Sequence, residues 1–228
     1  MGRSIFFLLL VFVFAVSASF AQGTADDFFN RAVDRQKDGD PDGAIADYTK
    51  AIELDPKDAD AYNNRGNVRK SKGDLDSALK DFTAAIEINP SLAAPYLNRG
   101  VVKMRKGDLD GAIADYNRAI EREPDTAPGY YNRAGARRDK HDLAGAIADY
   151  SRVIEINPRH ARAYGNRGKA KLDLNDAAGA VADLTTAIEL DAKNADLYKT
   201  RAAAYRVLKK PVPATADEKL AAALALDQ

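Results

Sequence analysis

The chain has 228 residues, in which 34 lysines and arginines balance 34 aspartates and glutamates. This balance leaves no overall positive field that would draw the protein to nucleic acid or to an anionic membrane, so neither is expected as a partner. Because the sequence has no cysteine, disulfides, thiolate metal sites and a cysteine nucleophile are excluded.

An apolar run near the N-terminus predicts a signal peptide over residues 1–21. Residues 5–16 are apolar throughout, and as a helix they would span about 18 Å, against about 30 Å of bilayer hydrocarbon. Ser19 and Ala21 are small residues at the spacing that a signal peptidase recognises. We therefore expect cleavage after Ala21, a mature chain without a membrane span that begins at Gln22, and export to the periplasm or the medium. The alternative is an uncleaved anchor.

The rest of the chain repeats with a period of 34 residues. Three sets of positions keep this spacing: Pro56, Pro90, Pro124 and Pro158; Tyr62, Tyr96, Tyr130, Tyr164 and Tyr198; Ala44, Ala78, Ala112, Ala146 and Ala180. A fixed period of this size predicts a solenoid of stacked supersecondary units. After a short linker over 22–24, the units are 25–58, 59–92, 93–126, 127–160 and 161–194, followed by an irregular sixth over 195–228.

Each unit is predicted to contain two helices. In the second unit, a first helix over about 59–72 ends at the turn Gly73-Asp74, and a second helix with a wide apolar stripe ends before Pro90. Small residues at Gly66 and Ala78 allow the paired helices to approach closely. One unit cannot bury its stripe alone, so stability comes from stacking neighbours.

These residues resemble the tetratricopeptide repeat family over most of the chain. The matching residues of the second unit are Tyr62, Gly66, Ala78, Phe82, Ala85 and Pro90. The resemblance implies an all-α fold, a right-handed α-solenoid of antiparallel helix pairs in which the first helices line a concave groove. It also implies a protein or peptide partner in that groove. It does not imply any reaction, and we expect no cofactor and no metal.

Three columns that are hydrophobic in the family are charged in this sequence. They are an arginine column at Arg31, Arg65, Arg99, Arg133, Arg167 and Arg201; a basic column at Arg35, Arg69, Lys103, Arg137 and Lys171; and an aspartate column at Asp47, Asp81, Asp115, Asp149 and Asp183. Buried charges persist only when they are paired and hydrogen-bonded, and the planar fork of arginine suits a carboxylate. We expect a repeated structural network between the paired helices. The alternative is an arginine row that binds acidic ligands.

The sixth unit is expected to depart from the period. Residues 216–227 resemble 180–191 with an offset of 36, which places Lys219 in the aspartate column and two extra residues in a rebuilt turn at 209–213. We expect this unit to cap the array, since the end of a repeat protein should not recruit another unit. At the other end, Thr24 and Asp27 predict a capping box.

An asparagine recurs once per unit on the first helix, in a column that faces the groove in the family. The asparagine column is Asn30, Asn64, Asn98, Asn132 and Asn166, and Thr200 takes its place in the sixth unit. An amide offers both a donor and an acceptor, so these side chains are expected to hold the main chain of an extended ligand. The alternatives are that asparagine is merely tolerated there, or that it bonds a neighbouring unit.

Positions beside this column differ between units and are candidates for specificity. Phe29, Val33, Leu97, Val101 and Met104 would accept apolar side chains, whereas Tyr131, Arg138, Arg162 and Lys169 form a mildly basic stretch. These differences predict a ligand that is partly apolar, with an acidic portion toward the C-terminal units. The charges could equally be a solvated face.

No arrangement of residues in the sequence predicts catalysis. His141 and His160 are expected in turns, and no zinc-protease, phosphate-loop or nucleophile-elbow motif is present. The sequence therefore favours a non-enzymatic interaction scaffold of the cell envelope. A membrane-tethered adaptor, a self-assembling structural element and an enzyme are the competing interpretations, and the oligomeric state is left open.

Overall fold

A computed structural model of the chain describes residues 23–226, and in this range it contains twelve helices and no strand. The helices are α1 (Ala25–Lys37), α2 (Pro41–Leu54), α3 (Ala59–Ser71), α4 (Leu75–Ile88), α5 (Ala93–Arg105), α6 (Leu109–Arg122), α7 (Ala127–Asp139), α8 (Leu143–Ile156), α9 (Ala161–Asp173), α10 (Ala177–Leu190), α11 (Ala195–Val207) and α12 (Pro211–Leu226). The predicted all-α solenoid of helix pairs is confirmed. The predicted signal peptide lies outside the described residues. Within residues 23–226, no helix combines the length and apolar composition needed to cross a bilayer.

The helices pack in chain order. Each first helix packs against the second helix of its own unit, and each second helix packs against the first helix of the next unit. Among helices two apart in the chain, the most extensive contacts join first helices, namely α3 with α5, α5 with α7 and α9 with α11. The first helices therefore converge on one side of the array, and this side is the concave surface. We call it the groove.

Local sequence chemistry sets where the second helices begin. Helices α2, α4, α6, α8 and α10 each begin directly after an aspartate. Its carboxylate accepts a hydrogen bond from the backbone N–H of the residue three positions later, and the five residues are Asp40, Asp74, Asp108, Asp142 and Asp176. Such a side chain satisfies one of the free N–H groups of the first helical turn. At the start of the array, Thr24 and Asp27 form the expected capping box.

The turn between paired helices requires a residue in the left-handed region. Glycine fills it in the first three units, where Gly73 has φ +84°. In the last three units the same position is held by His141, Asn175 and Lys209. His141 is thus a turn residue, and His160 caps α9 by accepting a hydrogen bond from the N–H of Ala163 at its Nδ1.

Small residues form the contact between paired helices. The alanines of the second-helix column are fully buried, and the glycines of the facing first-helix column lie against large side chains. A Cβ added at Gly66 would come within 2.7 Å of the Phe82 ring, and one at Gly100 within 2.6 Å of the Tyr116 ring. In the second and third units the ring of the second helix therefore occupies the space that the missing side chain leaves.

The structure corrects the expected register of the sixth unit. Helix α12 keeps the 34-residue period, because its buried residues Ala214, Asp217 and Ala221 lie 34 positions after Ala180, Asp183 and Ala187. The aspartate column thus continues at Asp217, and the predicted two-residue insertion and assignment of Lys219 were wrong. Pro211 and Pro213, which had suggested a rebuilt turn, lie in the first turn of α12, where a proline loses no intrahelical hydrogen bond.

Candidate functional site: the concave groove

The arginine and aspartate columns meet between the paired helices of every unit. In each pair, arginine Nε and Nη2 donate to the two oxygens of one carboxylate: Arg31 to Asp47, Arg65 to Asp81, Arg99 to Asp115, Arg133 to Asp149, Arg167 to Asp183 and Arg201 to Asp217. Two parallel N–H···O bonds fix both distance and orientation. Each pair therefore determines how the two helices of its unit are set against each other.

The third guanidinium nitrogen joins each unit to the one before it. Arg99 Nη1 donates to Thr83 Oγ1 at 3.2 Å, and Arg133 Nη1 donates to Asn117 Oδ1 at 2.6 Å. The corresponding acceptors of Arg65, Arg167 and Arg201 are Thr49, Ser151 and Thr185. All five acceptors lie on the second helix of the preceding unit. The arginine column therefore links three helices in each repeat after the first.

The same guanidinium groups are covered by aromatic rings, and in the first five units they share their carboxylate with a second cation. Arg99 stacks over Tyr96 at 5.8 Å from the ring centroid, and Lys103 Nζ lies 2.8 Å from Asp115 Oδ2. The hydrogen bond to Asp115 raises the pKa of Arg99. With its polar nitrogens engaged, an internal arginine has little capacity left for a ligand. Arg31 differs, since its side chain is 53% exposed and it lies in the first unit of residues 23–226.

The asparagine column lies on the first helices, and two of its members bond the preceding unit. Asn98 Nδ2 donates to Asn63 Oδ1 at 3.1 Å, and Asn166 Nδ2 donates to the Tyr131 hydroxyl at 3.0 Å. In both cases the acceptor lies 35 residues earlier in the sequence. These two amides therefore follow the alternative interpretation, in which asparagine connects neighbouring units.

The other asparagines meet a different neighbour. The residue 35 positions before Asn64 is Phe29, and the residue 35 positions before Asn132 is Leu97. Neither side chain can accept a hydrogen bond. Both asparagines are partly exposed and make no side-chain hydrogen bond to residues 23–226. Their amides remain open to a ligand, each beside an apolar side chain, and Asn30 at the start of the column is exposed.

A pocket opens in the groove where the fourth, fifth and sixth units meet. It has a volume of about 480 Å³ and is lined by Tyr131, Asn166 and Lys169, with Arg162, Leu197 and Lys199 around them. It opens where the column that holds Phe29, Asn63, Leu97 and Tyr131 continues as Gly165. A glycine supplies no side chain to fill this volume. The pocket could therefore have been predicted from the sequence, because Gly165 replaces the larger residues that this column has in the other units.

The remaining predicted groove residues divide between packing and solvent. Leu97 and Val101 are partly buried and pack against the core around Tyr116. They form an apolar floor for the groove in the third unit. Arg138 donates to the neighbouring carboxylate of Asp139 at 3.0 Å, and it is outside the pocket that contains Lys169.

Sequence reasoning missed Lys70, which lies between the second and third units. Its Nζ donates to Asn67 Oδ1 and to Asn98 Oδ1, both at 2.8 Å, within a partly buried group that also includes Asn63. Burial lowers the pKa of Lys70, and the nearby charge of Arg105 lowers it further. A signal was available in the sequence, because three asparagines cluster on α3 and in no other first helix.

Tetratricopeptide repeat models match most of the chain. One described as TPR repeat matches residues 37–70, one described as tetratricopeptide repeat matches 59–92, and another of that description matches 97–161 and 131–195. A comparison with curated protein sequences found no match.

Solved structures of similar fold include three named proteins. YrrB, described as a TPR protein with an unusual peptide-binding site, is 22% identical, with a TM-score of 0.70 over 79% of this chain and 93% of its own. MamA is 25% identical, with a TM-score of 0.68 over 72% of this chain and 96% of its own. PilF of Pseudomonas aeruginosa is 15% identical, with a TM-score of 0.74 over 85% of this chain and 88% of its own. With the family models matching more than half of the sequence and the helix pairs repeating throughout residues 23–226, the chain belongs to the tetratricopeptide repeat family.

Proposed function

We propose that the protein is an exported, non-enzymatic interaction scaffold that binds an extended peptide or protein segment in its groove. The fold itself is typical of protein–protein interaction. The observation that carries the proposal is the pair of open amides at Asn64 and Asn132, each beside an apolar side chain. Such a pair can hold a ligand by its main chain while the neighbouring Phe29 and Leu97 contact its side chains.

The arrangement favours an extended ligand over a compact one. From Asn64 to Asn166 open amides alternate with bonded ones, so the open amides of Asn64 and Asn132 are two units apart. A helical partner satisfies its main-chain groups internally, whereas an extended chain presents them at its edges. Among the solved structures of similar fold, YrrB is described as having a peptide-binding site, which is consistent with a peptide ligand here.

A selection from phage-displayed random 12-residue peptides on immobilised protein tests the proposal. Enriched peptides would be synthesised with a fluorescent label and titrated against the wild type and an Asn64→Ala/Asn132→Ala variant. Each lost hydrogen bond is worth about 0.5–1.5 kcal/mol, so the variant should bind about 5- to 150-fold more weakly. Asn157→Ala is the matched control, since Asn157 lies in an exposed turn after α8. Equal affinities for both variants would place the binding surface elsewhere.

Export is tested separately. N-terminal sequencing of the protein from an envelope fraction should give Gln22 as the first residue. Recovery of intact Met1 would contradict signal cleavage and support the membrane-tethered adaptor.

A further inference from the structure

Exposed large apolar side chains are concentrated at the C-terminal end of the array. Among residues 23–226, five of the six lie in the last two units, and four of these lie in the sixth: Val207, Val212, Leu220 and Leu226. Helix α12 also ends in an unbroken apolar run over 220–226. This run makes nearly two helical turns, so that part of α12 is apolar on every side. A helix of such composition is normally buried all round, whereas the outer face of α12 is exposed.

The same face of the other second helices carries charge. At the 34-residue period, Leu220 and Ala223 correspond to Lys50 and Glu53 of the first unit, which form an exposed ion pair. The third and fourth units have such a pair as well, Arg118 with Glu121 and Arg152 with Glu155. Val212 corresponds to aspartates that pair with a lysine of the next unit, namely Asp42, Asp76 and Asp110. The sixth unit has therefore replaced the charges of this convex face by apolar side chains.

The apolar residues of this face have the spacing of a helix-packing surface. Val212, Ala216, Leu220 and Ala223 recur every three or four residues, and we call them the outer stripe. A shallow depression of about 460 Å³ lies along it, lined by Pro211, Val212, Thr215, Ala216 and Lys219. The last four of these are at positions i, i+3, i+4 and i+7 of the helix. Four residues so placed form the hole that receives one large side chain of a facing helix.

We propose that the outer stripe is a dimer interface, in which α12 packs antiparallel against α12 of a second copy across a twofold axis. Leu220 of each copy then occupies the depression of the other, above Ala216. The same register sets Val212 opposite Ala223, so a large side chain meets a small one at each contact and the helices can approach closely. Lys219 borders the depression, where its aliphatic stem can cover Leu220 while the ammonium group stays in water.

Charge at the two ends of α12 favours the antiparallel direction. Lys209 and Lys210 directly precede the helix and form no ion pair within residues 23–226. The last carbonyl groups of a helix lack intrahelical donors and carry partial negative charge. In the antiparallel register, Lys210 of one copy lies opposite Leu226 at this end of the other helix. A parallel arrangement would instead bring the lysines of the two copies together.

Sedimentation equilibrium of the purified protein tests the interface. Between about 1 μM and about 1 mM, a range that includes the dissociation constants of small transient interfaces, the average mass should rise from one copy towards two and stop there. Leu220→Glu and Ala216→Glu should each weaken dimerisation by about 100-fold or more, because each change occurs twice and places a charge among apolar side chains. Leu54→Glu is the matched control and should leave dimerisation unchanged, since Leu54 is 43% exposed at the end of α2.

Three results would overturn the inference: a single-copy mass over the whole range, a mass that rises beyond two copies, and dimerisation that persists in folded Leu220→Glu and Ala216→Glu proteins. Circular dichroism establishes whether the variants are folded. If either is not, Val212→Glu takes its place, since Val212 is 80% exposed, and unchanged dimerisation of that variant would count equally against the interface. The inference does not depend on peptide binding, because the outer stripe lies on the convex side and leaves Asn64 and Asn132 uncovered.

Discussion

Replacing Asp115 by asparagine should destabilise the third unit by about 3–5 kcal/mol, the usual cost of breaking a buried ion pair. The residue is 3% exposed and accepts hydrogen bonds from Arg99 Nε and Nη2 at 2.9 and 2.8 Å. Lys103 Nζ lies 2.8 Å from the same carboxylate. Removal of the negative charge leaves these two cations facing each other where their side chains are only 18% and 25% exposed.

Asp110→Asn on the same helix is the matched control. Asp110 pairs with Lys140 of the next unit, but its side chain is 82% exposed. An exposed pair of this kind contributes under about 1 kcal/mol. Both variants exchange aspartate for asparagine in α6. Asp110 also lies in the first turn, where a carboxylate contributes about 0.3–1 kcal/mol through the helix dipole, still well below the loss expected for Asp115.

Urea unfolding followed by circular dichroism measures the difference. With an m-value of about 2–3 kcal/mol/M, the midpoint of the Asp115 variant should fall by about 1–2.5 M. Repeat arrays can unfold in steps, so hydrogen exchange of the α5 and α6 amides should show the loss locally. Equal midpoints for the two variants would refute the structural role of the ion pair. They would favour the alternative, in which the arginine column binds acidic ligands.

Three further perturbations test the packing and the ionisation of the core. Gly100→Ala should cost about 1–3 kcal/mol in denaturant unfolding, because its Cβ would meet the Tyr116 ring at 2.6 Å. Gly135→Ala, with nothing within 4 Å of the added Cβ, should instead stabilise by about 0.5–1 kcal/mol; equal effects would show that the glycine column does not mark close contacts. Ala146→Leu should cost about 1–3 kcal/mol by overpacking a fully buried position, and an unchanged midpoint would contradict that placement. Burial raises the pKa of Tyr150 to about 12, so stability should fall as pH rises from about 10, the unfolded value, through 12. Between these pH values the free energy of unfolding of the Tyr150→Phe variant should fall less than that of the wild type. Equal decreases would show that ionisation of Tyr150 does not cause the loss.

The regular part of the fold could be predicted because the period constrains every unit at once. A proline, a small residue and a turn with aspartate recur at fixed positions. A helix boundary that is ambiguous in one unit can therefore be placed by comparison with the other four. The sixth unit lacked this check. Its two prolines resembled a turn, whereas the buried Asp217 shows that the register had continued without interruption.

The state of the asparagine column could not be predicted from the column itself. Whether an amide is free depends on the side chain 35 residues earlier, across the interface between units. Asn63 and Tyr131 can accept a hydrogen bond, whereas Phe29 and Leu97 cannot. From Asn64 to Asn166 the column therefore alternates between open and bonded amides. The sequence contained this information, but only the packing of the first helices shows which positions to compare.

The same comparison between units distinguishes the sixth unit from the other five. The position that accepts the third arginine nitrogen of the next unit carries a hydroxyl or amide in every regular unit, but a lysine, Lys219, in the sixth. A following arginine would meet an ammonium group there. The adjacent position, where the regular units bury a large ring or Leu184, carries Glu218, which pairs with Arg206 in place of filling a core. Head-to-tail stacking of two copies would bring the exposed Arg31 of one against Lys219 of the other. Like charge at that contact would oppose such stacking, so we propose that the sixth unit caps the array although it keeps the period.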